Sequence, residues 1–133
     1  MKAVTIRKER PMRHAFLAVL LLATPAGAFT AQNGLVVTAE AGDAFTVPWR
    51  GKSGAADFWC AAGDYAIRKL RLAPTATIWR ASEPPRRAGE GIRFTLRADQ
   101  AASSTGLIIL GAEGAGLSAA SAQALCELRR KRH

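Results

Sequence analysis

Apolar and polar positions alternate most regularly over residues 92–97. Ile92, Phe94 and Leu96 fall on one face, and Arg93, Thr95 and Arg97 on the other. This period of two is that of a strand in a sheet with one wet face. Two more strand-like runs, 35–39 and 44–49, flank Gly42-Asp43, a turn signal, and predict a hairpin. In the second run Phe45, Val47 and Trp49 share a face, which assigns Trp49 to the core. Pro48 cannot donate to a ladder and marks an edge or a strand end. Residues 75–80 are strand-like, with Trp79 alternating against Ile78. Residues 106–111 form a short apolar run that predicts a buried strand, and 113–116 a flexible loop. Residues 29–33 read as a polar, frayed lead.

Over residues 53–70 the period changes to that of a helix. Ala55, Phe58, Trp59, Ala62, Ala66 and Leu70 make a core face, and Ala56, Cys60, Gly63 and Ile67 a neighbouring stripe of mostly small residues. Ser53 has the chemistry of an N-cap. Arg68, Lys69 and Arg71 suit the negative end of the helix dipole, and Pro74 ends the segment. A second helix is predicted from a Ser118 cap to about Arg130, with Ala119, Ala122, Leu125 and Cys126 on one side. The expectation is one α+β domain: a four- to five-stranded, mainly antiparallel sheet with one central helix packed on a face and a C-terminal helix joined to it.

Ahead of this domain the pattern differs. Lys2, Arg7, Lys8, Arg10 and Arg13 precede an apolar run at 15–23 and the small residues Ala26-Gly27-Ala28. This order predicts a secretory signal peptide over 1–28, cleaved after Ala28, and a domain over 29–133. The apolar run is shorter than the roughly 18–20 residues a membrane span needs, so no transmembrane anchor is expected after cleavage. The 133-residue chain carries +9. Five of its 19 basic residues and one of its ten acidic ones lie in the leader, so the domain carries +5. Two cysteines in an exported domain, Cys60 and Cys126, predict a disulfide. A loop of that length gains about 4 kcal/mol in the chain-entropy account, less any strain.

The chemistry is narrowed mainly by histidine. His14 falls in the leader and His133 is the last residue, so triad, cysteine–histidine and histidine-zinc chemistry lack their central group. No cofactor or metal is expected. Asp57, Asp64, Glu83, Glu90 and Glu113 leave open a histidine-free, carboxylate-dependent hydrolase, although nothing in their spacing pairs two of them. Residues 50–53 look like the end of a phosphate-binding loop. Thr46 stands where that signature needs a glycine, and no nucleotide partner is expected. A weaker expectation remains, that Arg50, Lys52 and Ser53 bind an anion at the helix start. If Trp79 shares the outer sheet face with Arg93 and Arg97, a cationic aromatic platform results, suited to anionic polymers or lipid headgroups. The stiff basic loop Pro84-Pro85-Arg86-Arg87 adds Arg86 and Arg87 as a contact surface beside Trp79.

The segments Phe58-Trp-Cys-Ala-Ala-Gly-Asp-Tyr and Ser82-Glu-Pro-Pro-Arg-Arg-Ala-Gly-Glu-Gly-Ile resemble small uncharacterised secreted proteins of alphaproteobacteria. The resemblance implies a periplasmic or secreted protein and carries over no functional residue. The reading is a small exported, non-enzymatic binding or envelope-associated protein with a preference for anionic partners. The hydrolase, or an accessory subunit that docks on an envelope protein, stands as the alternative.

Overall fold

A computed structural model describes residues 27–51, 54–108 and 114–131. Residues 1–26, which hold most of the expected signal peptide over 1–28, together with Lys52, Ser53, residues 109–113, Arg132 and His133, lie outside the described residues. The chain runs β1 (Ala28–Thr30), β2 (Val36–Ala39), β3 (Ala44–Val47), α1 (Ala55–Arg68), β4 (Thr77–Arg80), β5 (Ile92–Thr95), β6 (Gly116–Ser118) and α2 (Ala119–Arg130). The strands form one sheet in the order β1-β2-β3-β5-β4-β6, and every neighbouring pair is antiparallel. The α+β class, the antiparallel sheet, the two helices and the Cys60–Cys126 bond all agree with the sequence.

Both additional strands are short and come from segments read as irregular. Residues 28–30 are not a frayed lead. They pair with β2, with Phe29 opposite Val37, and the Phe29 ring lies 5.6 Å from that of Tyr65. Gly116–Ser118 pairs with β4 along the other edge. The strand expected over 106–111 does not form in its described part, where Ile108 is fully exposed. Trp49 is corrected from core to surface at 44% exposed. β3 ends at Val47, and past Pro48 the ladder that would hold the alternation is gone.

α1 begins at Ala55 with Gly54 at its N-cap position and no side-chain cap. It ends at Arg68, where Lys69 and Leu70 donate to the Tyr65 carbonyl. The Ser118 hydroxyl caps α2 by accepting the Ser121 N–H at 3.1 Å, which agrees with its predicted role. Ten consecutive α1 residues, Asp57–Ala66, are buried, more than one amphipathic face can supply. The sheet covers one side through Phe45, Val47, Ile78, Ile92 and Phe94, and α2 covers another through Ala119, Ala122 and Cys126.

That second contact depends on Gly63. A Cβ there would lie 2.7 Å from the Ala122 carbonyl carbon and 2.8 Å from the Ala122 Cβ. Gly63→Ala in an isolated helix stabilises by about 1 kcal/mol. Here the clash with α2 reverses the sign. Overpacking of about 2 kcal/mol should lower the melting temperature by roughly 10 °C in thermal denaturation. A melting temperature unchanged or raised would show that the helices do not meet this closely.

A cationic cavity at the start of the central helix

In β4 the period of two puts Ile78 and Arg80 on the same side. Ile78 is in the core, and Arg80 stands in register with buried Phe94. The Arg80 side chain is therefore turned toward the helices and is only 2% exposed. Its Nε donates to the Ser82 carbonyl at 2.8 Å and its Nη1 to the Thr105 carbonyl at 3.3 Å. Nη2 is buried without a hydrogen-bond partner, and no described carboxylate forms an ion pair with Arg80. Burial, followed by the nearby Arg86 cation, lowers its pKa, while Glu83 raises it as the smallest influence. A guanidinium stays protonated under such shifts, so a whole charge is held inside the protein.

Beside it is a cavity of about 240 Å³. Arg80 and Arg86 supply its cations, and Ala55, Pro84, Pro85 and Ile92 supply apolar wall. Pro84 and Pro85 are joined by a cis peptide bond. Arg86 is held by donating to the carbonyls of Arg87 and Glu90, at 3.0 and 2.8 Å, with its guanidinium 5.1 Å over the Phe58 ring. Gly106, at φ +76°, completes the lining, and a Cβ there would collide with Arg80 Nη1. Only glycine meets both the backbone angle and the space.

The sequence-predicted cations are distributed otherwise. Arg50 is exposed beyond the end of β3, and Lys52 and Ser53 lie outside the described residues. Arg93 is paired with Glu40 at 2.7 Å and Arg97 with Asp99 at 3.1 Å. Arg50 and Arg97 lie beyond opposite ends of the β3–β5 ladder, in which Val47 meets Ile92 and Ala44 meets Thr95. Trp79 is half-buried on the outer face, where its ring crosses Gly116 and it stands opposite Thr95. Trp79 and Arg93 do share that face, but the arginines of the imagined platform are already neutralised. Arg87 is exposed, whereas Arg86 enters the cavity. Arg80 was missed. Its signal was present in the alternation, since a core Ile78 carries residue 80 to the same face.

The carboxylates do not converge. Asp64 is fully buried and accepts from Gln32 N, Gln32 Nε2, Arg68 Nη1 and Gln123 Nε2 at 2.9–3.3 Å, which fills its acceptor sites. Glu83 is committed to the Ser103 N–H and hydroxyl, both at 2.6 Å. Asp57, Asp64, Glu83 and Glu90 line neither this cavity nor a second one of about 220 Å³ bordered by Glu40, Asp43 and Tyr65. Glu113 lies outside the described residues. Among those residues no group of three or more histidine, cysteine, aspartate or glutamate side chains is placed to hold a metal ion. No family model, curated protein or solved structure matches the chain.

The outer-face pair gives a pH test. The Thr46 hydroxyl bond, against the next-largest and opposing effect of burial, and with further help from Arg93, holds the Glu40 pKa below the ordinary glutamate range. A depressed folded pKa contributes stability that is present above the unfolded value, about 4.3, and lost as pH falls through the lower folded one. Glu40→Gln should therefore flatten the acid limb of stability below about pH 4.3 and leave its neutral-pH slope unchanged. Denaturant titrations at a series of pH values measure this, and an unaltered acid limb would remove Glu40 from the linkage.

Proposed function

We propose that the protein is a small exported, non-enzymatic binding or envelope-associated protein whose partner presents an anionic group to the Arg80 cavity. The observation that carries this reading is a buried guanidinium, with an amino group lacking any hydrogen-bond partner, on a residue that borders a cavity with no described carboxylate in its lining. Buried charges are ordinarily paired, and an anion would complete this one. Export is supported by the leader pattern, by the resemblance to secreted proteins, and by a disulfide of the kind that persists in oxidising compartments. No helix of the described residues is long and apolar enough to cross a membrane. A polymer or a lipid headgroup suits the cavity through one projecting anionic group, because Arg93 and Arg97 are engaged by Glu40 and Asp99.

The test is thermal denaturation of the purified, disulfide-bonded protein with phosphate, sulfate and acetate at constant ionic strength. A saturable rise is expected, about 1.4 kcal/mol when the anion stands at ten times its Kd. Arg80→Met should abolish it. A rise that follows ionic strength whatever the anion, with no retention on immobilised heparin at low salt, would remove the anionic partner.

A further inference from the structure

We infer that the cavity takes a carboxylate carried on a short apolar group, with the carboxylate on the Arg80 guanidinium and the apolar part against Pro84, Pro85 and Ile92. This rests on the anionic reading above and narrows it to a ligand class.

The donors are counted first. A guanidinium has five N–H groups, and Arg80 commits one to Ser82 and one to Thr105. Three remain, two of them on Nη2, which has no hydrogen-bond partner. A carboxylate is planar, carries one charge and matches the two-pronged edge of a guanidinium. Phosphate brings more oxygens than the donors of Arg80 can serve. Arg86 donates through Nη1 to two carbonyls, and the other described side chains on the lining are Ala55, Pro84, Pro85 and Ile92. Phosphate oxygens turned toward those walls would lose water without gaining a bond. A hydrocarbon tail meets the same walls favourably.

Size and charge agree. At about 30 Å³ for each water-sized unit, 240 Å³ holds roughly eight non-hydrogen atoms. That is a carboxylate with about five or six carbons. Ala55, in the first turn of the 14-residue α1, is on the same wall, and Asp57 in that turn offsets the positive end of the helix dipole, so the cations of the site are its arginines. Glu83, the carboxylate that acts on Arg80, is held by Ser103. The second cavity is bordered by Glu40 and Asp43 and repels what the first attracts. The same chemistry is offered by a free short-chain acid and by the apolar C-terminal residue of a peptide.

The experiment follows backbone amide shifts of the isotope-labelled, disulfide-bonded protein while titrating hexanoate, hexanamide, acetate, phosphate, and a tripeptide ending in leucine with a free or amidated terminus. Either hexanoate or the free-terminus tripeptide should bind at least tenfold more tightly than acetate and phosphate, with shifts concentrated at Ala55, Ile92 and Gly106. Neither amide should bind. Hexanoate as the stronger ligand assigns a free acid, and the tripeptide as the stronger assigns a peptide end. Phosphate binding as tightly at those three residues would overturn the carboxylate class and leave the anionic reading standing. Binding of hexanamide as tight as that of hexanoate, shifts centred elsewhere, or no binding by any anion would overturn both. Arg80→Met should lose hexanoate. That variant also removes the side-chain donor to the Ser82 carbonyl and one of the two donors to the Thr105 carbonyl, which keeps Trp59 Nε1, so the acid–amide comparison on the unaltered protein decides if it fails to fold.

Discussion

The close approach of α1 and α2 at Gly63 is the contact on which the other arrangements depend. Gly63, Ala122 and the two cysteines are small enough for the helix backbones to meet almost directly. The order of contacts, Gly63 to Ala122 and Cys60 to Cys126, makes the helices antiparallel. Cys60–Cys126 then closes a 66-residue separation across the same seam, removing freedom chiefly from the unfolded chain. Asp64 follows Gly63 directly and is therefore carried into the dry junction. A charge there is tolerable only if its lone pairs are filled. Gln32 and Gln123 supply three of the four donors and Arg68 the fourth. The Gln32 bonds draw the turn after β1 against α1, so the helix seam also helps to set one edge of the sheet.

Elements were legible where one periodicity ran long enough to exclude the other. Residues 92–97 alternate cleanly, and their strand, β5, lies inside the sheet. The apolar stripe of α1 and the two cysteines likewise pointed to the sheet and to α2. β1 and β6 were not legible, because three residues cannot display a period. Each exists as an edge defined by its neighbour, β1 by β2 and β6 by β4. The run at 106–108 misled for the opposite reason. Its apolar composition suggested burial, yet Leu107 is half-buried and Ile108 exposed. Trp49 failed because alternation was extended past Pro48, where no ladder enforces it.

The same limit explains the site. Sequence reasoning placed a possible function at the N-terminal end of α1, and the cavity does open there at Ala55. The residues expected to build it were the adjacent cations Arg50 and Lys52. Those that do are Arg80, Arg86 and Gly106, which only strand pairing and loop closure bring to α1. An arginine in a short strand reads by habit as surface. Its position relative to Ile78 says otherwise, and the register with Phe94 makes the argument structural.

A net charge of +9 does not by itself describe a surface that attracts anions. Arg68, Arg93 and Arg97 each meet a carboxylate, at 2.9, 2.7 and 3.1 Å, and all three are about half exposed. Such pairs contribute little to stability and leave little field behind. Arg80 differs in both respects, being buried and without an ion pair to any described carboxylate. An apolar residue at position 80 would satisfy the alternation of β4 and avoid the desolvation of a charge. What the arginine adds is a set of donors fixed by Ser82 and Thr105, given space by Gly106 and faced by apolar walls. Rigid donors held away from water interact more strongly with an anion than the same donors on a solvated strand. On the proposed reading, the buried guanidinium of Arg80, and not the exposed ones among the described residues, is where a negative charge would be met.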